Sequence, residues 1–277
     1  GAQVGRQLFF MRQIRLPDLD ALANIVRRAA CEELLPRFTR VGQEHKADGS
    51  VLTEADLAIN ARLHDELART WPDFAFLSEE MAAAEQEALL ASGERALWIL
   101  DPLDGTSNFA AGIPFFGVSL ALLSAGDVEI GLIYDPIRDE CFTSRRGAGA
   151  WLNGRPLRVA PTDIPLQRCV ALIDFKRLDT ELRRRLITTP PYHSQRNFGS
   201  CALEWAWLAA GRGQLYLHGG QKLWDFAAGT RLFAEAGGTS CTLDGDAVFQ
   251  ARLEPRSAVA APDPALARQW LAWLRMR

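Results

Sequence analysis

Apolar residues recur every three or four positions between residues 18 and 38, a period that predicts an amphipathic helix. A polar connector follows at residues 45–50. Thr53 has the side chain of an N-cap and is predicted to begin a second helix that ends near Thr70. Asp56 would then lie in the first turn of this second helix.

Short apolar runs separated by turn residues occupy the rest of the first half. They predict strands at residues 74–77, 97–100, 116–123, 128–134 and 140–143, an exposed helix at 81–91, and turns at 124–127, 147–150 and 153–154. Strands joined by such short turns pair in antiparallel fashion. The first half is therefore predicted to be helices followed by a largely antiparallel sheet.

Beyond Pro161 the pattern changes to an alternation of strands and helices. Strands are predicted at residues 170–173 and 214–217, and helices at 179–186, 200–210 and 225–236, the last closed by Gly237-Gly238. Alternation of this kind favours an α/β layer. The second half is thus predicted to differ in class from the first.

The change of pattern defines the expected organisation of the chain. We expect an N-terminal α+β half at residues 11–158 and a C-terminal α/β half at residues 159–277, with a boundary near 155–165. Residues 1–10, which precede Met11, are expected to be a leader outside the fold.

The composition narrows the class of protein and its partners. The chain has 277 residues, of which 48% are hydrophobic and 23% charged, as in a soluble globular protein. The formal net charge of −3 gives no electrostatic reason to expect nucleic acid or an anionic membrane surface as a partner. Five dispersed cysteines lack the spacing of a zinc site, which fits a reducing compartment. Because no apolar run is long enough to span a membrane, we expect a cytoplasmic protein.

One segment combines two kinds of chemistry. Asp101 and Asp104 follow the apolar run at residues 96–100, and Gly105-Thr106, which can open a helix, comes directly after them. Carboxylates are ligands suited to Mg²⁺ or Mn²⁺, and free N–H groups at a helix start favour a phosphate. The segment therefore predicts a divalent cation held beside a phosphate. Asp-Pro and Asp-Gly are also ordinary turn signals, so a simple turn is the alternative.

Two further acids lie where apolar elements begin or end. Glu79 follows the strand predicted at 74–77, and Asp225 follows Leu223-Trp224 at a helix start. Element ends of layered α/β proteins commonly meet at one site. Taken singly, Asp225 is also typical of a helix N-cap, and Glu79 of a solvated turn.

Together these segments resemble the inositol monophosphatase family of metal-dependent, lithium-sensitive phosphatases. The resemblance extends from about Lys46 to Gly238 and rests on Glu79-Glu80, Asp101–Thr106 and Trp224–Gly229, supported by Thr53–Asp56, Gly147–Gly154 and Arg196–Ser200. It implies a layered αβαβα sandwich of the inositol monophosphatase and fructose bisphosphatase type. It also implies a homodimer and inhibition by lithium.

The resemblance assigns roles by position. The ligands of two or three Mg²⁺ ions, or of Mn²⁺, would be Glu79, Asp101, Asp104 and Asp225 through their carboxylates and Leu103 through its carbonyl. Catalysis would involve a hydrogen-bonded pair of Asp56 and Thr106 beside the attacking water, with Glu79 assisting. The substrate contacts would be Asp104, Gly105, Thr106, Gly199, Ser200, Cys201, His218 and Asp225.

The expected reaction is hydrolysis of a small polyol, sugar or amino-alcohol phosphate by metal-activated water. His218 stands where inositol-hydrolysing members of the family carry a glutamate, and an imidazole that donates and accepts is not an equivalent partner for hydroxyl groups. His218 is equally consistent with the plain end of a strand. Phosphatases of histidinol phosphate, sugar bisphosphates or nucleotide 3′-phosphates are the alternatives, although Ser107-Asn108 replaces the Lys-Glu pair of the nucleotide branch.

A rival hypothesis of another class is a phosphatase fold that acts mainly by binding another macromolecule. A pure binding module has no need of all four acids, so the intact set favours the enzyme. No P-loop or G-x-G-x-x-G fingerprint is present either.

Overall fold

This computed structural model describes residues 14–44, 49–159 and 163–276, which form two sheets and the helices that cover them. The leader expected at residues 1–10, part of the connector at 45–50 and the centre of the expected boundary lie outside the described residues.

The elements are numbered in chain order. The helices are α1 (Leu19–Glu33), α2 (Leu35–Glu44), α3 (Ser50–Thr70), α4 (Ala83–Ser92), α5 (Thr106–Ala111), α6 (Thr180–Thr188), α7 (Cys201–Ala209), α8 (Leu223–Glu235) and α9 (Pro264–Arg275). The strands are β1 (Ala75–Ser78), β2 (Leu97–Asp104), β3 (Gly117–Ser124), β4 (Asp127–Asp135), β5 (Glu140–Arg145), β6 (Gly149–Leu152), β7 (Arg155–Pro156), β8 (Val170–Asp174), β9 (Ser194–Arg196), β10 (Leu215–Gln221), β11 (Thr239–Cys241) and β12 (Arg256–Ala261).

The first sheet has seven strands in sequence order, β1 to β7. Its first pair, β1 and β2, is parallel, and every later pair is antiparallel. The second sheet has the order β11-β12-β10-β8-β9. Strand β8 lies parallel to both β10 and β9, whereas β12 is antiparallel to its two neighbours.

Three apolar clusters separate the layers. Helices α1 to α3 bury their apolar faces on one side of the first sheet, around Trp98. Helices α7 and α8 fill the space between the sheets around Trp205, and α6 and α9 cover the outer face of the second sheet around Trp270. Each fully buried side chain of this size contributes roughly 1.5–3 kcal/mol of transfer free energy. The order helix, sheet, helix, sheet, helix confirms the αβαβα sandwich.

Close packing in the central layer depends on two glycines. A Cβ on Gly229 would lie 2.4 Å from Cγ of Trp205, and a Cβ on Gly131 would lie 2.7 Å from the carbonyl oxygen of Ala228. Helix α8 therefore lies directly against α7 and β4. This contact fixes the start of α8, where Asp225 is found, relative to the first sheet.

Two helix predictions at the N-terminal end are wrong in detail. The helix predicted at 18–38 is broken into α1 and α2, because Pro36 has no N–H to donate to the preceding turn. Thr53 is not an N-cap: α3 begins at Ser50 after Gly49, whose φ is +73°, and the Thr53 hydroxyl instead donates to the Gly49 carbonyl at 3.2 Å. Asp56 consequently lies in the second turn.

Several strand predictions also need correction. Strand β2 continues through Asp104 instead of ending at residue 100. The turn predicted at 147–150 ends at residue 148, because β6 begins at Gly149. The turn predicted at Asn153-Gly154 is present and joins β6 to β7. Strands β9, β11 and β12 and helix α9 were not predicted; β9 and β11 have three residues each, too few to show a periodic pattern.

The predicted boundary at 155–165 lies between the last strand of the first sheet and the first strand of the second. Helices α7 and α8 come from the second half but pack on the first sheet, so the two halves share one central layer. Among the described residues, no helix is both long and apolar enough to cross a membrane.

Candidate metal and phosphate site

The two acids of the Asp-Pro-Leu-Asp segment lie on a bulge in strand β2. Pairing with β3 shifts register between Asp101, opposite Ser119, and Asp104, opposite Gly117. In a regular strand, residues three apart face opposite sides of the sheet, whereas a bulge inserts an extra residue and redirects side chains. Pro102 suits this position because it has no N–H to offer to the ladder. The bulge therefore lets both carboxylates face one side.

Asp104 is held by the start of helix α7. Its Oδ2 accepts hydrogen bonds from the Ser200 hydroxyl at 2.5 Å and from the Ala202 N–H at 2.8 Å. Ser200 is the N-cap of α7, and its hydroxyl also accepts from the Leu203 N–H at 3.4 Å. Donors from the central layer thus fix the orientation of a carboxylate that is only 7% exposed.

Asp225 completes a cluster of three carboxylates. It lies in the first turn of α8, where its Oδ2 accepts the Lys222 N–H at 2.9 Å. One oxygen atom each of Asp101, Asp104 and Asp225 can be chosen so that all lie within 4.8 Å of one another. We call these three residues the acidic cradle. Among the ion pairs of the described residues, none involves a member of the acidic cradle.

Glu79 lies at the rim of the acidic cradle. It lies in the turn after β1 with part of its surface open to solvent, and its backbone N–H donates to the Leu100 carbonyl at 3.1 Å. Partial burial raises the pKa of its carboxyl, as does the charge of Asp104, while the contact with Asp101 and the charge of Lys222 oppose that rise. Glu79 therefore adds a fourth carboxylate at the edge.

The electrostatics of the acidic cradle favour a cation. Burial raises the pKa of Asp101 well above its ordinary value, and the charges of Asp104 and Glu79 raise it further. Burial and the charge of Asp104 raise the pKa of Asp225 to about 7. Buried carboxylates that repel one another are stabilised by protons or by a metal ion. An all-oxygen donor set of this kind suits Mg²⁺ or Mn²⁺, so the residues fit the metal that the sequence predicted.

Asp56 on α3 lies close enough to Glu79 and Glu80 for their charges to act on its carboxyl. Burial raises the pKa of its carboxyl to about 7, with the charges of Glu80 and Glu79 as further causes. Its Oδ1 is buried without a hydrogen-bond partner. The hydrogen bonds of the described residues include none between Asp56 and Thr106, so the pair implied by the resemblance is not formed here. Asp56 instead offers an unpaired acceptor.

Gly105 and Thr106 lie where β2 turns into the six-residue helix α5. Gly105 has a φ of +95°, and a Cβ there would lie 3.0 Å from the Phe115 carbonyl oxygen, so both the backbone conformation and the space require glycine. Leu103 buries its side chain in the apolar cluster, and its N–H donates to Asp101 Oδ1 at 3.3 Å. Whether its carbonyl binds a metal stays a prediction.

The predicted substrate residues lie around the start of α7 and the end of β10. Gly199 precedes Ser200, and Cys201 begins α7 with its Sγ 3.5 Å from Nε2 of His218. Burial raises the pKa of the Cys201 thiol, which keeps it protonated and a poor nucleophile. His218 is 7% exposed, and its Nδ1 accepts the Gly220 N–H at 3.1 Å. Because Nδ1 is an acceptor, the proton of the neutral imidazole lies on Nε2.

Sequence reasoning missed three side chains that support this region. Asp174 lies 3.5 Å from His218 Nε2 across the β8–β10 pair. Asn108 donates to the carbonyls of Phe115 and Phe198, both at 2.7 Å, and so ties α5 to the segment before α7. Glu204 accepts the Phe198 N–H at 3.1 Å from inside α7. Asp174 and Asn108 act through partners distant in sequence, whereas Glu204 accepts from a residue only six positions earlier. The one sequence signal was a charged residue, Glu204, within the apolar run that forms α7.

The chain matches one protein family and several named relatives. The sequence profile of the inositol monophosphatase family matches residues 17–275. An inositol-1-monophosphatase of Mesorhizobium japonicum is 38% identical over 208 residues, which are 72% of this chain and 75% of that protein. A protein of Xylella fastidiosa named Nus factor SuhB is 39% identical over 191 residues, which are 65% of this chain and 64% of that protein.

A solved structure agrees with these sequence matches. The extragenic suppressor protein suhB of Bartonella henselae superposes with a TM-score of 0.73 at 30% identity, covering 92% of this chain and all of that one. The family match over residues 17–275 includes both sheets and all three residues of the acidic cradle. The chain belongs to the inositol monophosphatase family.

Proposed function

We propose that this protein is a Mg²⁺-dependent phosphomonoesterase that acts on a small polyol, sugar or amino-alcohol phosphate. The observation that carries the proposal is the acidic cradle: three carboxylates within 4.8 Å of one another, none ion-paired within the described residues. A divalent cation bound there would polarise the phosphoryl oxygens and lower the pKa of an attacking water.

The side chains of the chain divide the remaining work. Asp101, Asp104 and Asp225, with Glu79 at the rim and the Leu103 carbonyl, would hold the cations. Ser200 and Ala202 would keep Asp104 in position through their hydrogen bonds to Oδ2. Supporting contacts of this kind commonly change metal affinity by about 10–100-fold when removed.

Phosphate and water would be oriented by three neighbouring groups. The N–H groups of Gly105 and Thr106 would donate to the phosphate, since they begin a helix beside the acidic cradle. Oδ1 of Asp56, buried without a partner, would accept a hydrogen bond from the Thr106 hydroxyl or from the attacking water. In either case the unpaired Oδ1 of Asp56 accepts a hydrogen bond, and Asp56 does not act as a nucleophile.

The substrate side would be formed by Gly199, Ser200, Cys201 and His218. Nε2 of His218 carries the one proton of the neutral ring and lies 3.5 Å from Asp174, so a substrate hydroxyl would share that proton with Asp174. A glutamate at that position could only accept. Inositol phosphate is therefore one of several candidates, beside histidinol phosphate, sugar bisphosphates and nucleotide 3′-phosphates.

Phosphate release from a substrate panel tests the proposal. We expect hydrolysis that requires Mg²⁺, stops with a chelator, is inhibited by lithium and is lost in Asp104→Asn. Hydrolysis that persists in the chelator would contradict the metal mechanism. Undiminished turnover in lithium would remove only the lithium expectation.

A second candidate is a role as an interaction protein. Relatives named Nus factor SuhB favour it, because that name describes a factor and not a hydrolase. The Asp104→Asn variant separates the two roles: a cellular function that survives without hydrolysis would assign that function to binding.

Assembly and location complete the proposal. We infer a cytoplasmic homodimer, for which light scattering of the purified protein and fractionation of cells are the direct measurements. A monomeric mass across micromolar concentrations would contradict the dimer.

A further inference from the structure

The buried side chain of Asn108 connects two segments that meet at Asp104. Asp104 is followed by Gly105 and by α5, in which Asn108 is the third residue. Nδ2 of Asn108 donates to the Phe198 carbonyl at 2.7 Å. Two residues after Phe198, the Ser200 hydroxyl donates to Oδ2 of Asp104 at 2.5 Å. Asp104 is therefore linked to Asn108 twice, once through the start of α5 and once through the segment before α7.

Both N–H groups of the Asn108 amide are used. The second one donates to the Phe115 carbonyl, also at 2.7 Å. Because both partners are carbonyl oxygens, the amide nitrogen and not the amide oxygen faces them. An ionised aspartate would offer no donor at this position, and a serine would offer one. Asn108 is only 9% exposed, so a change that removes its donors leaves carbonyl groups without a partner in the interior.

The backbone after Phe198 lies directly against the Asn108 amide. A Cβ on Gly199 would lie 3.0 Å from Nδ2 and 3.1 Å from Oδ1 of Asn108, and Gly199 has a φ of +79°. Both the space and the backbone conformation therefore require glycine at this position. Ser200 is the next residue, so the position of the Asn108 amide limits where the Ser200 hydroxyl can lie.

Glu204 also binds the Phe198 backbone, but with a different consequence. Its Oε2 accepts the Phe198 N–H at 3.1 Å, and both residues belong to α7 or to the segment that leads into it. Asn108, in contrast, belongs to the segment that follows Asp104. Glu204 therefore secures the segment before α7 to its own helix, whereas Asn108 sets the position of that segment relative to Asp104.

We propose that Asn108 is a positioning residue of the metal site. Its amide holds the segment before α7, so that the donors at the start of that helix keep Asp104 in the orientation that binds a cation. Both donors of Asn108 bind backbone carbonyls, so its effect reaches Asp104 through Ser200 and Ala202. The inference rests on the proposed Mg²⁺-dependent function and adds Asn108 to the residues that set the metal affinity. Contacts beyond the ligands themselves commonly change metal affinity about 10–100-fold.

Titration calorimetry with Mg²⁺ tests this route in the full chain and in the variants N108A, S200A and N108A/S200A. We expect N108A to weaken Mg²⁺ binding about tenfold. Because Asn108 acts through the segment that carries Ser200, the loss of affinity in the double variant should be smaller than the product of the two single losses. Two losses that multiply fully would show that Asn108 and Ser200 act independently, which contradicts the proposal.

The matched control is Asn153→Ala. Asn153 also has two hydrogen bonds to the backbone: its Nδ2 donates to the Asp139 carbonyl at 3.1 Å, and its Oδ1 accepts the Cys141 N–H at 2.8 Å. It lies in the turn after β6, a strand four positions away from β2 in the first sheet. N153A should lower the melting temperature, as N108A does, but leave the Mg²⁺ affinity unchanged. Thermal melting checks that each variant is folded, and N108S, which keeps one donor, provides the test where N108A does not fold.

A second measurement needs no metal. The Ala202 N–H donates to Oδ2 of Asp104 at 2.8 Å. Its hydrogen exchange, followed by NMR in a chelator, therefore reports how firmly the start of α7 holds Asp104. N108A should accelerate this exchange about tenfold, whereas N153A should leave it unchanged. Equal acceleration in both variants would show a general loss of stability and would overturn the positioning role.

Unchanged Mg²⁺ affinity in the folded N108A protein would also overturn the proposal. The outcome is separable from the proposed function. Mg²⁺-dependent hydrolysis with the same metal affinity in N108A would refute the positioning role alone. A protein that binds no Mg²⁺ would refute the metal mechanism, and faster exchange at Ala202 in N108A but not in N153A would then leave the effect of Asn108 on Asp104 standing.

Discussion

The acidic cradle and the polar network around α7 both bury carboxyl groups, but the network surrounds them with hydrogen-bond donors and the acidic cradle with other carboxylates. In the network, Glu204 accepts from the Phe198 N–H and the Tyr216 hydroxyl, both at 3.1 Å. Gln221 then donates to the Tyr216 hydroxyl at 2.9 Å and accepts from the Trp205 indole at 2.9 Å. In the acidic cradle, three carboxylates face one another with a few donors at their outer oxygens.

The difference separates a structural acid from a functional one. Burial raises the pKa of Glu204 to about 8, so a single proton removes its charge while its hydrogen bonds remain. The carboxylates of the acidic cradle repel one another and need either protons or a bound cation. Burial alone therefore does not mark a functional acid: the shortage of donors and the proximity of other acids do.

The largest effect that we predict is the loss of activity in Asp101→Asn. Losing one carboxylate of the acidic cradle should lower Mg²⁺-dependent phosphate release about a thousandfold, yet it should raise the melting temperature of the metal-free protein, because mutual repulsion decreases. Calorimetric melting in a chelator and phosphate release in Mg²⁺ are the two measurements. A metal-free protein that becomes less stable would mean that Asp101 is structural, like Glu204.

Glu204→Ala should destabilise the protein, in contrast to Asp101→Asn. It removes the acceptor of two buried donors and leaves a cavity in α7, so we expect a loss of about 2–4 kcal/mol in the free energy of unfolding. Denaturant unfolding measures this loss. Glu204→Gln, which keeps the volume, is the control and should lose less than about 1.5 kcal/mol. Equal losses in the two variants would show that the hydrogen bonds of the carboxyl matter more than the packing.

Ser200→Ala tests the link between the two regions. Ser200 caps α7 and donates to Asp104, so its loss should weaken Mg²⁺ binding about 10–100-fold and the fold by about 1 kcal/mol. Titration calorimetry with Mg²⁺ and thermal melting give the two values. Unchanged metal affinity would show that the Ala202 N–H alone positions Asp104.

The smallest predicted effect is on the pH dependence of stability. Burial raises the pKa of Asp225 and of Asp56 to about 7 in the folded chain, against about 3.9 in unfolded chains. Their contribution to the free energy of unfolding is therefore fully present below pH 4. It is lost as pH rises through 7. The metal-free protein should therefore melt at a lower temperature at pH 8 than at pH 5.5.

Added Mg²⁺ should flatten this slope between pH 4 and pH 7, because it stabilises the charged carboxylates. Burial raises the pKa of Glu204 to about 8. The loss of stability that comes from Glu204 should therefore continue above pH 7, with or without Mg²⁺. Melting curves across this range, with and without Mg²⁺, separate the two regions. A slope that Mg²⁺ leaves intact would place the titrating groups outside the acidic cradle.

The fold elements and site residues of this chain were predictable to different degrees. The order of Glu79, Asp101, Asp104 and Asp225 was enough to indicate a common site and, through the family resemblance, the αβαβα layers. The break between α1 and α2 and the start of α3 were missed, although Pro36 and Gly49 are local signals for both. The supporting roles of Asn108, Asp174 and Glu204 were beyond sequence reasoning, because their partners are set by packing.

The sequence by itself determined which chemistry is present: four carboxylates, a Gly-Thr pair and a histidine, each at the end of an apolar element. Only the tertiary structure decided that they meet. The bulge in β2 turns Asp101 and Asp104 to one side, and the central layer carries Ser200 and Asp225 toward them. A carboxylate has the same chemistry at any position, but its pKa and its ability to share a cation depend on neighbours within a few ångströms, which only the fold supplies.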